Sequence, residues 1–168
     1  MAELAPRERL QPSLLDRLTD HEPELAVEAR EQRVLSGRGL REGVLRDLAW
    51  LLNTTNLAAT GGLPTLPHLA GSVLNYGLPA ISGVALASMD GAGLERAIRQ
   101  AIWDFEPRLI RSSVTVKAMA ARDAVSKIVF EIQADLWAQP YPERLYLKTE
   151  LDLDLGQLSL VDGGAARA

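Results

Sequence analysis

At 168 residues the chain has the length of one ordinary domain, which buries about 70% of its unfolded surface and needs no covalent staple. It contains no cysteine, which excludes disulfides, thiolate metal sites and a cysteine nucleophile and fits a reducing compartment. Eighteen basic residues stand against 22 acidic ones, a formal net charge of −4 with no long block of either sign, so the basic stripe that nucleic acid demands is missing.

The first residues, Met1 to Arg7, carry charges with no apolar core behind them, and no run approaches 18 apolar residues. A soluble, cytoplasmic protein without direct membrane insertion is expected. Ser13 followed by Asp16 reads as a capping box for a short helix striped by Leu14, Leu15 and Leu18, which Pro23 soon closes. From about Gly39 to Asn53, Leu40, Val44, Leu45, Leu48, Leu51 and Leu52 recur at helical spacing, with Arg41, Glu42, Arg46 and Asp47 mainly on the other side. Asn53-Thr54-Thr55-Asn56 closes this helix, and Gly61, Gly62, Pro64 and Pro67 mark a loop. A brief helix is predicted from Pro67 to Tyr76, stopped by Gly77. After a small-residue stretch from Leu78 to Met89, Asp90 is the predicted cap of a helix whose inner face is Leu94, Ala97, Ile98, Ala101, Ile102 and Phe105.

That helix runs into Glu106-Pro107-Arg108. Proline fixes its own φ and pushes the preceding residue out of the helical region, so the helix must end there. If the corner is extended, Glu106 and Arg108 point to one side, as an acid and a fork of donors, while Phe105, Pro107 and Leu109 anchor the other. The period then changes to two. Ile110, Val114, Val116 and Ala118 alternate with polar residues, and so do Ile128, Phe130, Ile132, Ala134 and Leu136, with Arg122-Asp123 in a hairpin connection between them. Pro140 and Pro142 end the second strand. In a third, Leu145, Leu147, Leu151 and Leu153 oppose Tyr146, Lys148, Glu150, Asp152 and Asp154, and Gly156 turns the chain into a short last strand from Leu158 to Val161.

Helices followed by consecutive strands imply an α+β fold, with N-terminal helices packed on one face of a small, mainly antiparallel sheet of three to four strands. Residues 1–37 read as an N-terminal segment with a short helix and a variable linker, 38–162 as the α+β domain and 163–168 as a flexible tail. Open sheet edges invite pairing with another chain. If the strand from Leu145 lies at the margin, Lys148, Glu150, Asp152 and Asp154 are candidate partner-binding residues whose acidic row would select a basic partner.

Metal and nucleotide readings are weak. His21 and His68 are the only histidines and are expected at the surface. The row Glu150, Asp152 and Asp154 lacks the sharp glycine turn of a calcium loop. Gly37 and Gly39 follow no strand pattern and have no third glycine. No cofactor is expected.

The run Ile98 to Phe105 with Glu106-Pro107-Arg108 and Leu109-Ile110 closely resembles the type VI secretion baseplate family TssE, part of a phage tail baseplate wedge family whose signature is Glu-Pro-Arg. The resemblance extends to Pro12 to Leu18, Ser72 to Pro79 and Thr149 to Asp154, in the family's order, covering about Pro12 to Leu160. It implies a non-enzymatic wedge subunit of a six-fold baseplate on the cytoplasmic side of the inner membrane. It further implies contacts with TssF, TssG and TssK, docking through Glu106, Pro107 and Arg108, and a sheet that templates the TssB/TssC sheath. Two other readings are kept: a stand-alone adaptor that binds an extended peptide at its sheet edge, and a peptidoglycan glycosidase, since some phage relatives carry a lysozyme label. The glycosidase would rest on Asp104 and Glu106, yet Arg108 would lower the pKa of a neighbouring glutamate, the wrong direction for a general acid.

Overall fold

The computed structural model describes residues 13–19, 23–24, 36–61, 67–80, 91–119, 127–137, 142–152 and 155–163. Helices α1 (Leu14–Leu18), α2 (Gly37–Asn53) and α3 (Gly91–Phe105) precede strands β1 (Thr115–Met119), β2 (Lys127–Leu136), β3 (Glu143–Asp152) and β4 (Gln157–Asp162). The strands form one antiparallel sheet in the order β1-β2-β3-β4, so the expected α+β class is the observed one.

Serine caps set the starts of the first two helices. Ser36 Oγ accepts from the Gly39 N–H at 3.1 Å at the head of α2, and Ser13 with Asp16 makes the capping box of α1. The helical stripes then become core: α2 buries Leu40, Val44, Leu48, Leu51 and Leu52, and α3 buries Leu94, Ile98, Ala101 and Ile102. They meet Phe130, Ile132, Ala134 and Leu136 of β2 and Leu145, Leu147 and Leu151 of β3, all on one face of the sheet. Each large side chain removed from water there contributes about 1.5–3 kcal/mol, which makes this layer the main stabilising element. The expected cap Asp90, the connection with Arg122-Asp123, and Pro140, Leu153 and Asp154 lie outside the described residues.

Three expectations are corrected. The predicted helix from Pro67 to Tyr76 is two separate 3-10 turns, Pro67–Leu69 and Val73–Asn75. Ser72 Oγ donates to the Leu69 carbonyl at 3.0 Å and Asn75 Nδ2 to the Ala70 carbonyl at 2.9 Å, taking acceptors that a continuous helix would use. The first strand starts late: Arg111–Ser113 coil into a 3-10 turn because Ser113 Oγ donates to the Ile110 carbonyl and accepts the Asp135 N–H, both at 2.7 Å. Ala118, expected inside, is exposed. Finally, β3 is not at the margin. It pairs with β2 on one side and β4 on the other, so its backbone is consumed inside the sheet, and among the described residues the margins belong to β1 and β4.

One glycine is indispensable for the join between helices and loops. Gly77 has φ +117°, and a Cβ there would lie 2.2 Å from the Thr54 carbonyl oxygen. That closeness lets Leu78 N–H donate to the Thr54 carbonyl at 2.7 Å and Asn56 N–H to the Leu78 carbonyl at 2.8 Å, pinning the end of α2.

Candidate functional site

Helix α3 ends at Phe105, as proline at 107 requires, but the corner after it is a turn rather than an extended segment. The Leu109 N–H donates to the Glu106 carbonyl at 3.2 Å, with Pro107 in the second position, where its fixed φ suits a turn. Leu109 goes into the core as expected. Pro107 is exposed and Glu106 is buried, at 4% exposure, so the anchoring and presenting roles expected for these two residues are exchanged. The Trp137 N–H donates to the Arg108 carbonyl and the Ile110 N–H to the Asp135 carbonyl, both at 2.8 Å, seating the turn on the end of β2.

Arg108 is the hub. Its Nε donates to Glu106 Oε1 at 2.6 Å and its Nη2 to Glu106 Oε2 at 2.5 Å, a bidentate pair, while its backbone N–H reaches Oε1 at 3.2 Å. Nη2 also donates to Asp47 Oδ2 of α2 at 2.6 Å. Asp47 Oδ1 in turn accepts from Arg46 Nε at 2.9 Å and Nη2 at 2.8 Å, and Arg46 Nη1 donates to Asp16 Oδ1 at 2.5 Å. Asp16 Oδ2 closes the chain by accepting from Ser13 Oγ at 2.7 Å. Three carboxylates thus alternate with two guanidiniums across α1, α2 and the turn, leaving one negative charge.

The ion pairs favour the charged forms of Asp16, Arg46 and Arg108. The hydrogen bond from Arg46 holds the Asp16 carboxyl below its ordinary value against the opposing effect of burial. Burial pulls the Arg108 guanidinium down, yet the hydrogen bonds and charges of Glu106 and then Asp47 outweigh it and hold it above its ordinary value. Tyr76, whose OH donates to the Asp47 carbonyl at 3.3 Å, is raised by burial and by the charges of Asp47 and Glu106. Its ring meets Phe105 edge-on at 5.3 Å, and Val73 and Leu74, separated from it by the buried Asn75, are exposed.

Arg108 is not saturated. Nη1 makes no hydrogen bond among the described residues, and the Arg108 side chain as a whole is 23% exposed. Gly43 of α2 lies beside it: a Cβ at that position would sit in ordinary van der Waals contact, 3.7 Å from Nη1 and 3.5 Å from Asp16 Oδ2.

The other candidate residues lie elsewhere. Lys148 is exposed on the outer face of the sheet, directly opposite Glu131 in register. Glu150 is ion-paired with Lys127, and Asp152 accepts the Leu155 N–H at 3.0 Å, so the supposed acidic row is interleaved with cations and turn bonds. Asp154 and His21 lie outside the described residues, and His68 is exposed. Among the described residues no group of three or more histidines or carboxylates is placed to hold a metal ion. Asp104 is exposed and accepts from Gln100 Nε2 at 2.8 Å, whereas Glu106 is buried against Arg108, so the two carboxyls do not flank a common space.

A family profile described as baseplate wedge protein gp25 matches residues 38–141, more than half of the chain and the whole segment from α2 through the Arg108 turn to the end of β2. The chain belongs to that family. The baseplate wedge protein gp25 family includes the type VI secretion subunit TssE and is one of structural baseplate proteins, which places this chain among phage-tail-like baseplate components that assemble with others. No curated protein and no solved structure matches it. No helix among the described residues is long and apolar enough to cross a membrane.

Asp16, Arg46 and Asp47 belong to the site and were not singled out in the sequence, where Asp16 reads as a cap and the other two as the polar face of a helix. Gly43 carried the available signal. A glycine inside a leucine-rich helix costs about 1 kcal/mol relative to alanine, and here two charged side chains pack over it.

Proposed function

We propose that this protein is a non-enzymatic, TssE-type wedge subunit of a type VI secretion baseplate, docking on TssF and TssG through the Glu106-Pro107-Arg108 turn and starting the TssB/TssC sheath from its sheet. The observation that carries the docking assignment is the immobilised, partly exposed Arg108 guanidinium, whose Nη1 has no hydrogen-bond partner among the described residues. Nε and Nη2 are locked by Glu106 and Asp47, so a partner carbonyl or carboxylate meets a donor whose plane is already set, and little side-chain entropy remains to be lost on binding. The family supports assembly within a baseplate; the TssK contact and a place at the cytoplasmic side of the inner membrane follow from the same reading.

The experiment is co-purification of TssF and TssG with wild type and Arg108→Lys. Lysine keeps a positive charge beside Glu106 but lacks the planar fork. A cooperative melt with recovery of TssF and TssG lowered about tenfold or more, the loss of roughly one good charged hydrogen bond, is expected. Equal recovery with both proteins would remove the turn from the docking surface.

A further inference from the structure

One aromatic side chain on α3 holds two cations. The Arg99 guanidinium carbon lies 5.4 Å from the centre of the Trp103 ring, and that of Arg111 lies 4.8 Å from it. The indole is itself held in place, because its Nε1 donates to the Arg111 carbonyl at 2.9 Å. Arg99 stands one helical turn before Trp103, whereas Arg111 opens the 3-10 turn after the Arg108 corner, so helix and turn each bring one guanidinium to the ring. Attraction to a ring uses none of a guanidinium's N–H donors, and neither side chain makes a hydrogen bond or an ion pair among the described residues.

Other arginines are neutralised within the chain. Arg38, Arg41, Arg46, Arg108 and Arg144 are each paired with a carboxylate. Carboxylates also stand close in sequence to Arg99 and Trp103, but both are engaged elsewhere. Glu95, four residues before Arg99, has the favourable spacing for a helical ion pair, yet its Oε1 accepts the Ala118 N–H of β1 at 2.6 Å. Asp104, next to Trp103, takes Gln100 Nε2 on both oxygens, at 2.8 and 2.9 Å. Two like charges are thus gathered on one ring without a counter-charge, in a chain with 22 acidic residues against 18 basic ones. An anion within reach of both relieves their repulsion.

We propose that Arg99, Trp103 and Arg111 form a second docking point, and that its occupant is an acidic segment of another baseplate protein. An Asp or Glu side chain of that segment accepts N–H donors from the two guanidiniums, and an apolar neighbour in the same segment covers the half-buried indole. Charge complementarity selects a carboxylate-bearing protein. Nucleic acid would need the basic surface to continue as a stripe, and the chain has a net charge of −4 with no long basic block. The proposal rests on the baseplate reading above and goes beyond the Arg108 turn. Arg108 is tied to α2 through Asp47, and Arg111, three residues on, is tied to α3 through Trp103, so a partner seated across the α3–β1 connection meets a fixed donor set on each side.

The test is cross-linking with a water-soluble carbodiimide, which joins a lysine amine to a carboxylate in contact with it as an amide, the reagent taking up the water that is lost. Full-length Arg99→Lys and Arg111→Lys variants are studied free and in baseplate assemblies isolated through a tag on TssF, and the joined peptides are identified by mass spectrometry. In the assembly, position 99 or 111 should be joined to an Asp or Glu of another chain, by a link absent from the free variants. Arg99→Gln combined with Arg111→Gln should keep the wild-type melt and lower recovery of this protein in the assemblies about tenfold in 0.15 M salt. Links from positions 99 and 111 only to Glu95 or Asp104 of the same chain, or none while other lysines of the assembly react, overturn the proposal, as does equal recovery of the double variant. Wild-type recovery that is lost on nuclease treatment makes the ligand a nucleic acid and overturns it too. If wild type fails to co-assemble with TssF and TssG, the baseplate reading falls and this one with it.

Discussion

The charge chain Asp16–Arg46–Asp47–Arg108–Glu106 and the outer-sheet pairs Lys127–Glu150 and Arg144–Asp135 use the same side chains in opposite settings. In the first, Glu106 is 3% exposed and Arg108 23% at their side chains. In the second, Lys127 and Glu150 are 40% and 41% exposed, and Arg144 is 57%. Water and salt screen the outer pairs, so they hold little beyond local geometry. Screened least at Glu106, the inner chain turns each carboxylate into a demand that a specific guanidinium stay in place, and it ties α1, which has no buried residue, to α2 and the turn.

The contrast is broken most forcefully at Arg108. Arg108→Ala leaves the Glu106 carboxylate buried without its partner and should cost about 3–5 kcal/mol in a urea melt. The pair change Glu106→Gln with Arg108→Met should recover most of that loss, since the buried charge is gone. An Arg108→Ala variant as stable as wild type would show that the inner chain is no more consequential than the outer pairs.

The next effect is at Gly77, which holds Tyr76 against Asp47. Gly77→Ala puts a Cβ into the Thr54 carbonyl and forces a non-glycine residue to φ +117°, which should cost at least about 2 kcal/mol. Thermal denaturation checks it, with Gly61→Ala as the comparison: Gly61 has φ +80° but nothing within 4 Å, so its loss should be smaller.

A smaller effect distinguishes two carboxylates that titrate alike. Arg46 lowers Asp16 and Arg144 lowers Asp135, so both contribute stability above the ordinary carboxylate pKa of about 4 and lose it as pH falls through the folded values. Only Asp16 tethers a separate helix. Acidification from pH 5 to below 3 should therefore free α1 before the sheet, read by amide exchange in α1 and by fluorescence of Trp50, over which Arg46 stacks at 5.3 Å. Asp16→Asn should abolish the early step and Asp135→Asn should not.

The smallest effect is at the outer sheet. Lys127→Gln should leave the melting temperature unmoved in 0.15 M salt, and a clear drop there would erase the distinction between the two regions.

Periodicity made most of the frame legible. The stripes of α2 and α3 and the alternation of β2 and β3 are direct consequences of one face meeting a core, and each expected face is largely the buried one. The interior place of β3 was also available, because consecutive strands separated by only a few residues pair in sequence order, which leaves β3 between two neighbours. The Glu106 turn was misjudged because proline fits both an extended segment and the second position of a turn, and only the docking of Arg108 and Ile110 on the end of β2 decides between them. The charge chain was invisible for a different reason. Asp16 and Arg46 lie 30 residues apart, and Asp47 and Arg108 lie 61 apart, and each has a satisfactory local explanation.

Thr149 interrupts the leucine row of β3, fully buried and donating its hydroxyl to the Phe130 carbonyl at 3.2 Å. Leucine spacing alone would tolerate β3 sliding past β2 by two residues, since the same face would still be apolar. The hydroxyl does not tolerate it, because a slipped strand would have to offer it another acceptor in the dry interior or forfeit about 1–3 kcal/mol. One polar atom thus works as a vernier mark on an otherwise repetitive scale, and the position of every later residue, including the β4 margin 11 residues beyond it at Leu160, is measured from that mark.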